Sequence, residues 1–342
     1  MRVGVTLGDP AGVGAEVALR LLDEVGPDAP ITFFGSEAQI DAAAETLGPP
    51  GRRRLRVLGP DAAGSEAAYE GPPALVHVAD LGRDDVRPGV STPAGAGAQL
   101  RSLSAAAKAA QDGRIAALVT GPVSKAAIAS VIGRGFTGQT ELLARLSGLR
   151  SRDVVMAFTG DRIRVALVTT HMALRDVPGA LGPERIGHVC LLEIEHLRSL
   201  GFERPRIAVA GLNPHAGENG LFGSEERDVI APAVGAVEAR LKSERTAAVV
   251  SGPFPADAAL RRHVAGEFDA VVAMYHDQAT IACRLLAFGA TVNVTLGLPY
   301  VRTSADHGTA YDIAGAGRAD PAGTLAAYKL ARKLVRAAPA RG

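Results

Sequence analysis

A chain of 342 residues that is 47% hydrophobic and 21% charged is long enough for two domains with sizeable cores. Its 40 glycines follow no Gly-X-Y period, and its apolar content is too high for a disordered linker, so collagen-like and unfolded classes are excluded. With 37 basic against 36 acidic side chains the net charge is +1, which leaves no global field for nucleic acid or an anionic membrane. Any anion must then be met by a local cluster.

The chain opens on Val3 to Leu7, broken by Gly8-Asp9-Pro10 and too short for a signal peptide, so a cytoplasmic protein is expected. Further strands are predicted at Ile31 to Phe34, Ala116 to Val119, Arg164 to Thr169, Arg206 to Ala210, Ala247 to Val250, Ala270 to Met274 and Thr291 to Thr295. Helical patterns lie between them at Ala15 to Glu24, Ala94 to Asp112, Thr140 to Leu146, Pro183 to Leu200 and Ile230 to Lys242, with a last one from Gly323 to Arg336. Strands separated by helices imply βαβ units and largely parallel sheets, so the fold class is α/β. The stretch from Leu47 to Pro88 is the least patterned, and its basic run Arg52-Arg53-Arg54 reads as a solvated surface. No segment approaches the roughly 18 apolar residues of a membrane helix. Two cysteines, Cys190 and Cys283, exclude a disulfide scaffold and a Cys-rich zinc site.

Ligands in α/β folds bind beyond the carboxyl ends of strands, which directs attention to the residues just after each run. Gly8-Asp9-Pro10-Ala11-Gly12-Val13-Gly14 is a glycine-rich turn, but it lacks the third glycine of a dinucleotide fingerprint and reads as a tight structural turn. Three strand ends deliver an imidazole each: His171, His215 in Asn213-Pro214-His215, and His276. Three neutral imidazoles with an open position suit a catalytic divalent metal, although any single one taken alone is more often a satisfied histidine. His77, His188, His196 and His263 lack that context and read as surface or helix residues. Arg284, Asn293 and Arg302 offer guanidinium and amide donors for a phosphate or carboxylate. Asp306-His307-Gly308-Thr309-Ala310-Tyr311-Asp312 reads either as a plain Gly-containing loop or as a nucleotide-binding one. Asp257 and Asp277 are candidate general bases; the alternatives are a helix cap for Asp257 and an imidazole partner for Asp277.

Five blocks spread over the whole chain carry a family resemblance: Gly8-Asp9-Pro10-Ala11-Gly12, Phe136-Thr137-Gly138-Gln139-Thr140-Glu141, Asn213-Pro214-His215-Ala216-Gly217-Glu218, Tyr275-His276-Asp277-Gln278 and Arg302 through Ala310. Together they resemble the 4-hydroxythreonine-4-phosphate dehydrogenase family of pyridoxal phosphate biosynthesis. The resemblance implies a two-domain fold like that of isocitrate and isopropylmalate dehydrogenases, not a Rossmann fold, with an interdomain cleft. Domain A would comprise residues 1–135 plus 297–342, and domain B residues 136–296. It further implies a homodimer with shared active sites, acting on a small phosphorylated hydroxy acid. His171, His215 and His276 become ligands of a divalent metal, zinc first, with magnesium, cobalt or manganese as alternatives. Gln139, Thr140, Arg284, Asn293 and Arg302 fall on substrate positions, and Gly297, His307, Gly308 and Asp312 on the NAD (or NADP) site. The implied reaction oxidises the C3 hydroxyl of 4-phosphooxy-L-threonine and then releases carbon dioxide.

Two departures stand out: Gln139 replaces a family histidine, and Arg284 a family lysine. Gln139 keeps open a paralogue acting on phosphorylated threonate, phosphorylated erythronate or a cis-dihydrodiol. A zinc hydrolase without nucleotide is the alternative from another class.

Overall fold

The computed structural model describes residues 1–48, 55–133, 135–287 and 289–337. They form two compact units, the first built on Met1–Val154 with Leu298–Val335 and the second on Val155–Gly297. The first break therefore falls after Val154, later than the 135/136 boundary expected from the sequence. Apolar packing is the reason: Phe136 and Leu142 cluster with Leu103 and Ile128, while Leu143 joins Phe34, Ala106 and Leu118. Residues 52–54, read above as a basic surface run, lie outside the described residues.

The first unit contains β1 (Val3–Thr6), β2 (Ile31–Gly35), β3 (Arg56–Leu58), β4 (Ala74–His77), β5 (Ala117–Thr120) and β12 (Val301–Ala305). Their order is β3-β4-β2-β1-β5-β12, with every neighbouring pair parallel. Ile31, Phe33 and Phe34 are all buried in β2, as a strand covered on both faces requires. Helix Pro93–Gln111 provides part of that cover: Thr92 Oγ1 caps it by accepting from the Gly95 N–H at 3.0 Å, and its buried alanines allow close approach to the sheet.

The second unit contains β6 (Val155–Thr159), β7 (Arg164–Leu167), β8 (Arg206–Ala210), β9 (Val249–Phe254), β10 (Ala270–Ala273) and β11 (Val292–Leu296), ordered β11-β6-β7-β10-β8-β9. β6 runs antiparallel to both β11 and β7, whereas β7, β10, β8 and β9 are mutually parallel. Ile163, Val165, Leu167, Val271 and Cys283 fill a core with Phe158 and Phe268. Burying each large apolar side chain contributes about 1.5–3 kcal/mol relative to exposure. Every strand expected from the sequence is present; the largest shift is Ala247–Val250, found as Val249–Phe254. Among the described residues no helix is long and apolar enough to cross a membrane.

Candidate active site

The four parallel strands of the second unit share a direction, so their carboxyl ends lie along one edge. β7 leads to His171, β10 to His276, β8 to His215 and β9 to Asp257. His171 and His276 come from adjacent strands, and their ring centroids are 5.3 Å apart with planes tilted by 43°. Both line a cavity of about 530 Å³ together with Thr170, Met172, Tyr275 and Asp277. His276 is the first residue of helix His276–Ala287, and its Nδ1 lies 2.7 Å from Asp277 Oδ1. A carboxylate only accepts, so Nδ1 is the donor in this contact. That contact is of the kind an imidazole partner makes. Asp257 sits exposed in the first turn of helix Ala256–Val264, without a capping hydrogen bond from Pro255.

His215 does not line that cavity. It begins a run in which His215, Ala216, Gly217, Glu218 and Asn219 all have φ between 42° and 79°, a left-handed turn interior to Pro214–Gly220. Four of the five are not glycine, and each residue held there costs roughly 1–2 kcal/mol. Such strain persists only where the surroundings over-determine the backbone, and it marks functional loops. No group of three His, Cys, Asp or Glu side chains suited to a metal forms within one chain among the described residues.

In the first unit, β12 carries Arg302 into the interior, where it is 3% exposed and burial pushes its pKa down to about 10. Its Nη2 donates to Thr120 Oγ1 (2.6 Å) and to Gln139 Oε1 (3.2 Å), while Gln139 Nε2 donates to the Gly121 carbonyl at 3.0 Å. The amide therefore braces a guanidinium between β5 and β12. Thr140 follows it, buried in the first turn of helix Gln139–Leu146.

The loop after β12 is fastened to the first βα turn. Tyr311 donates its hydroxyl to Asp9 Oδ2 at 2.7 Å, the Val13 N–H reaches the Thr309 carbonyl at 3.0 Å, and the Gly315 N–H reaches Glu16 Oε1 at 2.6 Å. Asp9 is 1% exposed and also accepts from the Ala11 N–H (2.9 Å) and the Ser91 hydroxyl (3.1 Å). A Cβ on Gly12 would lie 2.8 Å from the Thr309 carbonyl oxygen, so glycine is needed there for the two segments to meet. His307, Gly308 and Asp312 remain exposed, and a Cβ on Gly308 would meet nothing within 4 Å.

A family model, "Pyridoxal phosphate biosynthetic protein PdxA", matches residues 28–331. The chain belongs to the PdxA family. A 4-hydroxythreonine-4-phosphate dehydrogenase from Desulfosudis oleivorans is 41% identical, with 96% of this chain and 94% of the relative covered. A Bradyrhizobium diazoefficiens relative with the provisional name D-threonate 4-phosphate dehydrogenase is 39% identical, covering 99% of this chain and 98% of its own. The crystal structure of 4-hydroxythreonine-4-phosphate dehydrogenase from Klebsiella pneumoniae aligns with a TM-score of 0.79 at 37% identity over 98% and 99% of the two chains. Isocitrate dehydrogenase from Methylococcus capsulatus, at 13% identity and a TM-score of 0.50 over 98% of this chain and 88% of that one, shares the fold.

Within this PdxA-family chain the remaining sequence expectations sit as follows. Arg284 is exposed on helix His276–Ala287, Asn293 is half-buried in β11 opposite Phe158, and Gly297 is exposed with φ 87°. His196 and His263 lie on helices as expected, but both are buried and structural: His196 Nε2 meets Thr159 Oγ1 at 2.8 Å, and His263 Nε2 accepts from the Arg164 N–H at 2.9 Å. Asp9 and Tyr311 were legible only as members of motifs, not as a pair. Glu226 escaped notice because Ser224-Glu225-Glu226-Arg227-Asp228 reads as a charged helix face.

Proposed function

We propose that this protein is an NAD-dependent dehydrogenase that oxidises the C3 hydroxyl of 4-phosphooxy-L-threonine and releases carbon dioxide, forming 3-amino-2-oxopropyl phosphate as a cytoplasmic homodimer. The observation that carries this reading is the full-length relationship to dehydrogenases so named. In the reaction the C3 carbon gives up a hydride and its hydroxyl a proton. The resulting β-keto acid loses its carboxylate as carbon dioxide, and the carbon left behind takes up a proton.

The donor set fits the cofactors. His171, His215 and His276 would hold a divalent metal, since neutral imidazoles suit zinc, cobalt, nickel and manganese. When bound, that cation polarises the substrate oxygen. Two of the rings lie close within one chain while a full set of three does not form there, which supports completion by a second copy. Leu174, Leu221, Ile281 and Leu285 are 59–81% exposed in this unit, and a partner subunit would cover them. His307, Gly308 and Asp312 are exposed and would contact the nucleotide, with Gly297 as a further contact. NAD, when bound, accepts the hydride.

The chain's own groups do the rest. In the first unit Arg302, braced by Gln139, would meet the anionic substrate with Thr140; in the second unit Asn293 and Arg284 are the substrate positions. Asp277 orients the His276 ring, which leaves Asp257 to accept the hydroxyl proton. The test is NADH formation from 4-phosphooxy-L-threonine with NAD and zinc or cobalt, abolished by a chelator. If no phosphorylated hydroxy acid yields NADH and calorimetry detects no NAD binding, the hydrolase alternative gains. A second reading, oxidation of D-threonate 4-phosphate, is favoured by the 39% identical relative of that provisional name and by Gln139 at the Arg302 contact.

A further inference from the structure

The geometry points to Glu226 as a positioning residue that holds His215 where it can bind a metal, a role that rests on the proposal that His215 is a ligand. β8 ends at Ala210, and five residues later the chain enters the left-handed turn that His215 begins. His215 and Asn219 are residue types that tolerate that conformation, but Ala216 and Glu218 are not, so a tertiary contact has to impose it there. Glu226 supplies one at the entry. Its Oε1 accepts the Asn213 backbone N–H at 2.7 Å and its Oε2 accepts the Asn213 carboxamide at 3.0 Å, while Glu225 Oε2 takes the same carboxamide nitrogen at 2.8 Å.

This carboxylate is 5% exposed, so its two oxygens are committed to the loop instead of to water. The surrounding glycines are consistent with that commitment. A Cβ on Gly211 would lie 3.0 Å from Oε1, and one on Gly217 would lie 2.7 Å from Oε2. The carboxylate is therefore wedged between the segment entering the turn and the turn's third residue, and glycine at both places makes the room. Glu226 also opens a single π-helical turn, Glu226–Ile230, a distortion that recurs at functional sites. One buried side chain thus anchors the segment that enters the strained run and packs beside its third residue.

Glu226→Gln tests this with little change of shape. An amide has one accepting oxygen, so at least one of the two bonds to Asn213 is replaced by a donor facing a donor. Purified protein is stripped of metal and titrated with cobalt(II) chloride, following the visible absorption of the bound ion and its displacement by zinc. The expected result is a 10- to 100-fold weaker cobalt affinity and an altered spectrum, the range typical of groups that orient metal ligands, with far-UV circular dichroism unchanged. Asn213→Ala, which removes the carboxamide donor alone, should weaken binding in the same direction but less, and it serves if Glu226→Gln does not fold. His215→Ala is the reference and should lose the spectrum. Should His215→Ala bind cobalt as the wild type does, the ligand role of His215 falls and this inference with it. Should His215→Ala lose cobalt while Glu226→Gln and Asn213→Ala bind it normally, the positioning role alone is overturned.

Discussion

Glu193 should make the stability of the second unit fall as pH rises from 6.5 to 8. It lies on helix Pro183–Ser199, is 1% exposed, and its Oε2 has no hydrogen-bond partner. Burial pushes its pKa up from 4.5 to about 8, against the opposing pull of Arg164. His196, one turn on, is pushed the other way, from 6.5 down to about 4, by burial and then by Arg164. An acid with a raised folded pKa contributes stability that is full below about pH 4.5 and is lost as pH rises through 8. An imidazole with a depressed folded pKa contributes stability that is full above 6.5 and is lost as pH falls through 4. Between 4.5 and 6.5 the two slopes oppose each other. Above 6.5 only Glu193 acts, at about 1.4 kcal/mol per pH unit, flattening near 8, for a total of roughly 1.5–2 kcal/mol. Glu193→Gln, which mimics the neutral acid, should remove that term. Urea unfolding of both proteins at pH 6.5 and pH 8, followed by far-UV circular dichroism, measures it as the change in their difference, which cancels all other titrating groups. An equal difference at both pH values would refute the buried neutral carboxyl.

Two further substitutions probe the first unit. Gln139→His places a titratable ring against the buried guanidinium of Arg302, whose like charge pulls the new pKa below 6.5; the pH profile of kcat/KM should gain an acid limb that the wild type lacks, and superimposable profiles would contradict the contact. Tyr311→Phe deletes the hydroxyl that holds the loop to Asp9, a bond to a charged group worth about 1.5–3 kcal/mol. The KM for NAD should rise several-fold while that for the phosphorylated acid changes less than twofold, and equal changes in both would detach the loop from the nucleotide.

Strands such as Ile31–Phe34 and Ala270–Met274 were legible because a parallel strand buried on both faces is a continuous apolar run. β12 was not, since Arg302, Thr303 and Ser304 are polar yet buried, and the partners of Arg302 and Thr303 are tertiary ones that no local pattern reveals. β3 and β4 hid in a Pro-rich stretch, and β3 has only three residues. His171, His215 and His276 could be placed at strand ends from spacing alone, and the parallel order of β7, β10 and β8 shows why they share one edge. What spacing could not supply was the grouping: two rings close together and the third on a left-handed turn whose conformation depends on a residue eleven positions further along. Gln139 likewise read as a substituted ligand contact, whereas its amide is engaged with Arg302 and Gly121.

The assignment of substrate is tested most directly by competition. 4-Phosphooxy-L-threonine and D-threonate 4-phosphate carry an amine and a hydroxyl, respectively, at C2, so their oxidation and decarboxylation give 3-amino-2-oxopropyl phosphate and dihydroxyacetone phosphate, distinguishable by mass. With both acids at equal concentration beside NAD and a divalent metal, the product ratio reads the ratio of kcat/KM values. Predominance of 3-amino-2-oxopropyl phosphate, with one NADH per product, is the predicted result, and predominance of dihydroxyacetone phosphate would contradict it.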